Sequence, residues 1–271
     1  MKRFMFKTVK HDQLEYSAAE HLLAPHCFTT RFGGVSQGYL GSMNIGTHRG
    51  DTRENVLENY AILGRAIDFD PEKLVLTHQT HTDIVRVVTE AEAGAGLYGP
   101  ELTDCDALVT NTPGLGLVVF SADCTPILLH DPVTGAVGAA HAGWRGTAAD
   151  IAGKTVNAMV SAFGCKPENI RAAIGPNIGQ CCFETDRDVP DAMVAALGDA
   201  AKEHIRQSGN KYYVNLKAMN ALFLRRAGVT QIEVSAECTA CRPDKYWSHR
   251  RVGGHRGSQG AIIICRKEAH R

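Results

Sequence analysis

SADCTPILLHDPVTGAVGAAHAGWRGT, residues 121–147, is the stretch from which the rest of the fold can be worked out. Residues 126–129 form a short apolar run that predicts a buried strand, and residues 136–140 predict a second one. Between them, residues 131–135 contain the proline and glycine that favour a reversal of the chain. We therefore predict two adjacent strands joined by a turn.

Polar residues stand at the ends of these two strands, where a purely structural core would not need them. Asp123 and Cys124 precede the first strand, and His141 ends the second. Because the strands are expected to lie side by side, the Cys124 thiol and the His141 imidazole can point at one spot. The alternative is that both are ordinary core residues, since free cysteine is among the most buried residue types.

A third apolar strand, residues 74–77, supplies a further imidazole. It leads into His78, and His81 follows about one helical turn later. Histidine and cysteine are ligands that zinc prefers, and a set of three leaves one position open, as in catalytic zinc sites. We predict that His78, Cys124 and His141 bind one zinc ion.

The overall composition excludes several classes of protein without selecting a function. The chain has 271 residues, 44% of them hydrophobic, and its 29 basic residues balance 29 acidic ones. Balanced charge gives no indication of nucleic-acid binding. No apolar run approaches the roughly 18 residues of a membrane span. We expect a monomer with neither a nucleic-acid nor a membrane partner.

The nine cysteines and the first residues indicate the compartment. MKRFMFKTVKHDQ, residues 1–13, has basic residues but lacks the apolar core of a signal peptide. An odd number of thiols without an export signal favours a reducing cytoplasm, where cysteines serve packing, metal binding or catalysis. We expect a cytoplasmic protein.

Strands outnumber helices along the remaining chain, and polar motifs recur after strands. A helix is expected after Asp51, which stands three residues before Glu54 as in a capping box, and another from Thr147, as its N-cap, to Gly164. Further helices are predicted at residues 189–197 and 215–227, and further strands at residues 26–30, 83–88, 107–110, 116–120, 171–174, 231–236 and 261–265. With no linker or fixed repeat, we predict one α/β domain over residues 1–271, with its site at strand ends.

A second group of cysteines competes for the metal. Cys238 and Cys241 have the spacing of a zinc-binding or redox pair and could combine with Cys181 and Cys182 into a four-sulfur structural site. Two adjacent cysteines offer poor tetrahedral geometry, and one such pair without a second is a weak signal. We therefore favour the histidine and cysteine set described above.

Five arginines lie in or beside glycine-rich loops: Arg31, Arg145, Arg250, Arg251 and Arg256. The planar guanidinium group fits phosphate in a bidentate way. Simple solvation at the surface is the alternative for each of them.

Six motifs together resemble one known family: RFGGVS (31–36), HQTH (78–81), ADCTPI (122–127), HAGWRG (141–146), IGPNI (174–178) and ECT (237–239). The chain is similar over nearly its whole length to the bacterial polyphenol oxidase or laccase-domain family, whose members are also called peptidoglycan editing factor or purine nucleoside phosphorylase. The resemblance implies a mixed-sheet sandwich covered by helices. It also implies a metal, usually zinc, held by residues matching His78, Cys124 and His141.

The activity implied by the resemblance is phosphorolysis of adenosine, inosine, guanosine and methylthioadenosine, together with adenosine deamination. Copper-dependent phenol oxidation is a further activity that has been claimed for members of this family. Multicopper oxidation needs several coppers and paired His-x-His ligands, which this chain lacks, although copper would bind a three-ligand set tightly. The sequence departs from the family at residues 255–258, where HRGS replaces the more usual Thr-Gly-Arg, so no tail arginine can be matched directly.

Several residues are candidates for the chemistry itself. A zinc-bound hydroxide could attack C6 of adenine, with Glu184 or Asp123 carrying the proton. Phosphorolysis needs a phosphate clamp, for which Arg31 and the tail arginines, including Arg251, are candidates. Asn44 and His81 are candidate polar contacts to substrate.

A different class of enzyme is possible on the same residues. Cys124 could act as a nucleophile with His141 as its base, in a cysteine hydrolase or amidase that edits cell-wall precursors.

Arg145 is a further candidate for phosphate. It stands just before the helix predicted to start at Thr147, whose N-terminal amides attract anions. The alternative is that Trp144 anchors the loop and Arg145 only pairs with an acid.

Overall fold

The computed structural model describes residues 6–266, which form two facing six-stranded sheets with helices on their outer sides. The strands are β1 Phe6–His11, β2 Leu14–Ala19, β3 His26–Thr29, β4 Leu74–Leu76, β5 Val85–Val87, β6 Ala107–Thr110, β7 Gly116–Ser121, β8 Thr125–His130, β9 Val137–Ala142, β10 Arg171–Ile174, β11 Glu184–Thr185, β12 Ile205–Ser208, β13 Lys211–Val214, β14 Gln231–Val234 and β15 Gln259–Ile264. The helices are α1 Arg53–Ile67, α2 Trp144–Ala148, α3 Ile151–Phe163, α4 Asp188–Leu197, α5 Asp199–Lys202, α6 Leu216–Arg226 and α7 His249–Val252, with 3-10 turns at Gly38–Leu40, Pro71–Lys73 and Glu90–Glu92.

Both large sheets are mixed. The first has the strand order β1-β2-β3-β15-β7-β4, and the second has the order β14-β10-β8-β9-β6-β5. A small third sheet, β11-β13-β12, completes the set. In the first sheet β15 lies between β3 and β7, so the last strand of the described chain occupies the interior of the sheet.

The two sheets pack face to face over an apolar core. Phe28, Leu117 and Ile263 of the first sheet contact the layer that includes Leu128 and Ala139 of the second. Helices α3, α4 and α6 cover the outer face of the second sheet, and α1 covers the first. The central strands of both sheets are thus buried on both faces and appear in the sequence as continuous apolar runs, whereas edge strands such as β1 are partly exposed.

The predicted fold class is confirmed, and most predicted elements are present. The first two predicted strands are β8 and β9, paired antiparallel with Pro126 opposite His141. Asn215 caps α6 through a hydrogen bond from the Ala218 amide, and Gly164 ends α3 in a left-handed conformation. The helix after Asp51 is α1, but its N-cap is Thr52, which accepts the Asn55 amide, rather than the predicted pair of Asp51 and Glu54.

The predicted helix from Thr147 is wrong in its start. Gly143 precedes the short helix α2, and the chain then breaks at Asp150, whose φ of 59° is left-handed. Asp150, not Thr147, caps the long helix α3 by accepting the Gly153 amide at 2.9 Å. Thr147 is buried inside α2, where its hydroxyl accepts a hydrogen bond from the Asn220 side chain of α6.

Within residues 6–266, no helix is long and apolar enough to cross a membrane. Residues 1–13 were discussed above as lacking the apolar core of a signal peptide. The first five of them lie outside the described range.

Candidate active site

The hairpin of β8 and β9 brings Cys124 and His141 together, as the sequence predicted. Cys124 immediately precedes β8, and His141 lies opposite Pro126 in the register of the pair. Asp123 adopts a positive φ of 91°, which turns the chain sharply before the strand. The Ser121 hydroxyl donates to the Cys124 carbonyl at 2.6 Å and fixes this turn.

The third residue of the cluster is His81 rather than His78, which corrects the predicted grouping. One potential ligand atom from each of His81, Cys124 and His141 lies within 4.8 Å of the other two. The Cys124 Sγ is 3.8 Å from the His81 Nε2. His78 lies at the rim, where its Nδ1 is 2.9 Å from a carboxylate oxygen of Asp104.

Asp106 explains why His81 is selected. Its buried carboxylate accepts hydrogen bonds from the amides of Thr80 and His81 at 3.2 Å each and from the Thr82 amide at 2.8 Å. These bonds wrap the loop around the carboxylate and hold His81 at a positive φ of 63°. The expected single helical turn between the two histidines therefore does not form, and only His81 reaches Cys124.

The same carboxylate also orients His141. Its Oδ1 lies 2.7 Å from His141 Nδ1, so the other ring nitrogen is left to face Cys124. A carboxylate behind a histidine in this way is typical of metal sites. Sequence reasoning missed Asp106, although an acidic residue entering a buried strand is an unusual feature that could have signalled it.

Electrostatics favour a thiolate at Cys124 in the metal-free protein. Burial alone raises the pKa of this thiol, but the charge of His141 and hydrogen bonds from His141 and His81 together lower it to about 6. Burial likewise lowers the pKa of His141, whereas the Cys124 thiolate and Asp106 outweigh burial and raise it. Both shifts favour a thiolate at Cys124 paired with an imidazolium at His141.

The donor set fits a zinc-type ion. Two imidazole nitrogens and one thiolate sulfur are ligands that zinc prefers, and three of them leave a position for a water or substrate atom. Gly143 leaves this space clear, since a Cβ atom there would lie 2.8 Å from His81 Cδ2 and 3.4 Å from the Cys124 Sγ.

A cavity of about 620 Å³ opens beside this cluster, a volume typical of small-molecule sites. Its apolar wall is made by Leu76, Phe120, Trp144, Ile178, Phe183 and Leu216. Its polar lining includes Thr47, His48, Arg49, His78, Glu101, Arg145, His249, Arg250, Arg256 and Ser258. The cavity thus combines flat apolar surface with an excess of positive charge.

One part of the cavity is suited to an anion. Arg256 is 9% exposed, and its Nε has no hydrogen-bond partner among the described residues. Burial, and then the nearby charge of Arg49, lower the pKa of Arg256 to about 10. Arg49 Nε donates to the Ser258 hydroxyl at 3.2 Å, so two guanidinium groups and a hydroxyl lie together. Arg49 was missed from the sequence, although the criterion of arginines in glycine-rich loops would have included it.

Three predicted substrate residues have structural roles instead. Arg31 donates to the carbonyls of Pro243 and Gly41 and stacks 4.0 Å from the Trp247 ring centroid. Asn44 is buried, and its side-chain oxygen accepts the amides of Gly46 and Ser258. Arg251 donates to the Ala240 carbonyl. None of the three is among the described residues that line the cavity.

The two predicted proton carriers are also engaged elsewhere. Asp123 lines the cavity, but its carboxylate accepts bonds from the hydroxyls of Thr239 and Ser248 and from the Arg250 amide. Glu184 lies on β11, where it accepts the Tyr213 hydroxyl at 2.6 Å, and it is not among the cavity-lining residues of the described chain. Both carboxylates therefore tie chain segments together.

Arg145 does line the cavity, but not in the predicted setting. It lies within the five-residue helix α2, exposed and 4.3 Å from the centroid of the Trp144 ring. The helix terminus that was expected to add its dipole begins six residues later, at Ile151. Arg145 therefore contributes an exposed charge to the cavity lining rather than a charge at the N-terminus of a long helix.

The chain is similar over most of its length to known proteins. Residues 25–266 match the family described as Multi-copper polyphenol oxidoreductase laccase. The chain is 38% identical to the purine nucleoside phosphorylase YlmD of Geobacillus stearothermophilus, covering 89% of each chain. It is 39% identical to a purine nucleoside phosphorylase of Deinococcus radiodurans, covering 90% of each. The crystal structure of the hypothetical protein YfiH of Bacillus licheniformis superposes with a TM-score of 0.90 at 33% identity, over 96% of this chain and 99% of that one.

Proposed function

We propose that this chain, which belongs to the family described as Multi-copper polyphenol oxidoreductase laccase, cleaves purine nucleosides with inorganic phosphate. The observation that carries the proposal is the pairing of an anion-binding end, Arg49 and Arg256, with the His81, Cys124 and His141 cluster in one cavity. The relatives named purine nucleoside phosphorylase support the same reaction. Inosine, adenosine, guanosine and methylthioadenosine are the substrates we expect.

Phosphate is held by the two buried or half-buried arginines. Arg256 Nη1 already donates to the Gly257 carbonyl at 2.9 Å, which fixes the guanidinium plane and leaves Nε free. Two cations this close repel each other, so an anion between them relieves the repulsion while it gains charge-assisted hydrogen bonds. The Ser258 hydroxyl, already bound to Arg49, adds a third donor.

The reaction then consists of one substitution at the sugar. A phosphate oxygen forms a bond to C1′ as the bond from C1′ to N9 breaks, and the electron pair leaves with the purine, which takes up a proton. Positive charge develops at C1′ and negative charge on the base. Positioning the phosphate next to C1′ provides much of the rate acceleration, because it makes the attack effectively intramolecular.

The base is held against the apolar wall. Trp144 and Phe183 offer flat aromatic surfaces on which a purine can stack, and Ile178 and Leu216 complete the wall. This surface has no preference for one purine over another, which fits a broad range of nucleosides.

His81, Cys124 and His141 would hold a zinc ion, and copper would also bind this set. When bound, such an ion supplies a Lewis acid with an open position and can lower the pKa of a bound water to about 7. Asp106 keeps His141 in the tautomer and orientation that a metal ligand requires.

Adenosine deamination is a second activity that the cavity supports. It needs a carboxylate that carries a proton, and Glu101 lines the cavity with an oxygen 3.8 Å from the His78 Nε2. We assign this role to Glu101 in place of Glu184 and Asp123. Release of inosine from adenosine should fall at least tenfold in Glu101→Gln, while phosphorolysis of inosine continues.

The principal test is incubation with inosine and phosphate, which should release hypoxanthine and ribose 1-phosphate. Arg256→Gln should raise the KM for phosphate by about 10–100-fold, equivalent to about 1.4–2.8 kcal/mol. Arg145→Gln is the matched control, an exposed arginine of the same cavity, and should change that KM less than about twofold. Release of hypoxanthine without phosphate would show a hydrolase and contradict the proposal.

One observation favours a cysteine hydrolase as the second candidate. Cys124, His141 and Asp106 have the order of a nucleophile, a base and an orienting carboxylate. Such an enzyme would remain active after the metal is removed by a chelator, whereas nucleoside phosphorolysis should be lost and return with added Zn²⁺. An amide or peptidoglycan fragment hydrolysed equally well before and after chelation would favour this alternative.

A further inference from the structure

Four cysteines from two distant parts of the chain form a second cluster, apart from the candidate active site. Cys181 and Cys182 follow β10 in a tight turn, and Cys238 and Cys241 follow β14. One ligand atom from each of the four lies within 4.8 Å of the others. All four are free thiols in the structure.

The spacing of the sulfurs matches that of a tetrahedral metal site. The Sγ of Cys241 is 3.5 Å from that of Cys181 and 3.4 Å from that of Cys182. With zinc–sulfur bonds of about 2.3 Å, the edges of a regular tetrahedron are about 3.8 Å long. The tight turn that hydrogen-bonds the Cys182 and Phe183 amides to the Gly179 carbonyl lets two adjacent cysteines face the same point. The turn therefore allows Cys181 and Cys182 to bind one metal ion, although adjacent cysteines were expected to offer poor tetrahedral geometry.

The surroundings are suited to a negatively charged centre. The Gly179 amide donates to the Cys238 Sγ at 3.1 Å, as backbone amides commonly do to metal-bound thiolates. A side chain at Gly179 would lie 3.2 Å from the Cys181 Sγ, so glycine permits this close approach. Lys217, 8% exposed, donates to the Glu237 carbonyl at 2.6 Å, and its charge interacts with Cys238 and Cys181.

We propose that Cys181, Cys182, Cys238 and Cys241 bind a structural Zn²⁺ ion, distinct from the ion at the cavity. Four thiols lose their protons on binding, and the resulting centre carries a net charge of two minus, which Lys217 partly offsets. Four protein ligands close the coordination sphere, so this ion holds structure and takes no substrate.

The site would brace one wall of the cavity. Ile178 and Phe183, which line the cavity, flank the turn that carries Cys181 and Cys182. Arg250, also in the lining, donates to the carbonyls of Cys182 and Glu184 at 3.0 and 2.9 Å. A metal joining this turn to residues 238–241 therefore fixes the wall from behind.

The test is the metal content and sulfur coordination of the full-length protein purified without added metal. Wild type should contain two equivalents of zinc, and Cys241→Ser, a change at an exposed position, should contain one. Cys124→Ser removes the cavity site, so its remaining equivalent should show four sulfur neighbours at about 2.3 Å by X-ray absorption. Cys165→Ser, a thiol outside both clusters, should keep both equivalents.

A second measurement separates a metal site from a redox pair. In wild type, the amides of residues 179–183 should exchange hydrogen more slowly than in Cys241→Ser, by tenfold or more. Zinc-free Cys124→Ser protein would overturn the proposal, and so would a disulfide among these four cysteines in the protein as purified. Loss of phosphorolysis with both zinc equivalents retained would count against the proposed function only.

Discussion

His81 is the residue on which the proposed metal site depends. Its Nε2 faces Cys124, whereas His78 is held at the rim by Asp104. His81→Ala should therefore lose the zinc of the cavity site, and His78→Ala should keep it. Elemental analysis of the two purified variants, each compared with wild type, measures their zinc content and shows which histidine binds the metal. Equal loss in both would mean that the loop rearranges around the metal.

Asp106 should set the affinity of that site. Replacement by Asn removes the charge behind His141 and places an amide group against the backbone donors of Thr80 and Thr82. Zinc affinity, measured by competition with a chromophoric chelator, should fall by about 10–100-fold. Asp104→Asn provides the control, since Asp104 is exposed and contacts the rim histidine His78 rather than a member of the cluster. An equal loss in this control would refute a specific role for Asp106.

At the scale of single residues, the sequence predicted the placement of those side chains whose location depends on their position along a strand. Cys124 and His141 could be predicted because both flank strands that pair with each other. His81 could not be chosen over His78, because the loop conformation depends on a carboxylate 25 residues away. The surroundings of Arg31 could not be predicted for a similar reason: its partners, among them Trp247 and Pro243, lie far along the chain.

At the scale of elements, the break between α2 and α3 is the sharpest departure from the predicted helix. Asp150 caps α3 from a left-handed backbone conformation, which Asp and Asn tolerate better than other residues with a side chain. Periodicity does not reveal such a break, because the apolar face that predicted the helix begins at Ile151, after the break, and residues 147–150 carry no pattern of their own. The central strands were easier to predict, since they are buried on both faces and form continuous apolar runs.

This cap can be tested by two substitutions at one position. Asp150→Ala loses the hydrogen bond from the Gly153 amide and strains the backbone, and should lower the free energy of unfolding by about 2–3 kcal/mol. Asp150→Asn keeps both the cap and the tolerance of positive φ, and should cost less than about 1 kcal/mol. Urea unfolding of both variants, monitored by circular dichroism, provides the measurement. Similar stability of the two would contradict this role.

At the scale of the whole molecule, β15 joins parts of the first sheet that would otherwise be separate. It pairs with β3 on one side and β7 on the other, and Ser258, directly before it, lines the cavity and accepts a hydrogen bond from Arg49. No periodicity in the sequence indicates that the final predicted strand enters the middle of a sheet. The class of fold was therefore predictable, while the order of its strands was not.

A chain that ends at Ser258 should consequently not fold. Without β15, the first sheet divides into two pieces, and Phe28 and Val119 lose a neighbouring strand. We expect insoluble protein or a product without cooperative unfolding. A chain that ends at Arg266 retains every residue described here and should unfold cooperatively. Cooperative unfolding of the shorter chain would show that β15 is dispensable.

The position of β15 also determines how long its partner strands wait during synthesis on the ribosome. When β3 has been synthesised, roughly 230 residues separate it from its partner strand, and at about 5–20 residues per second this is a delay of roughly 10–50 s. During that interval the edge of β3 that faces β15, and the corresponding edge of β7 once it has been synthesised, have no partner and can pair with other nascent chains. Faster translation of the second half should thus improve the soluble yield.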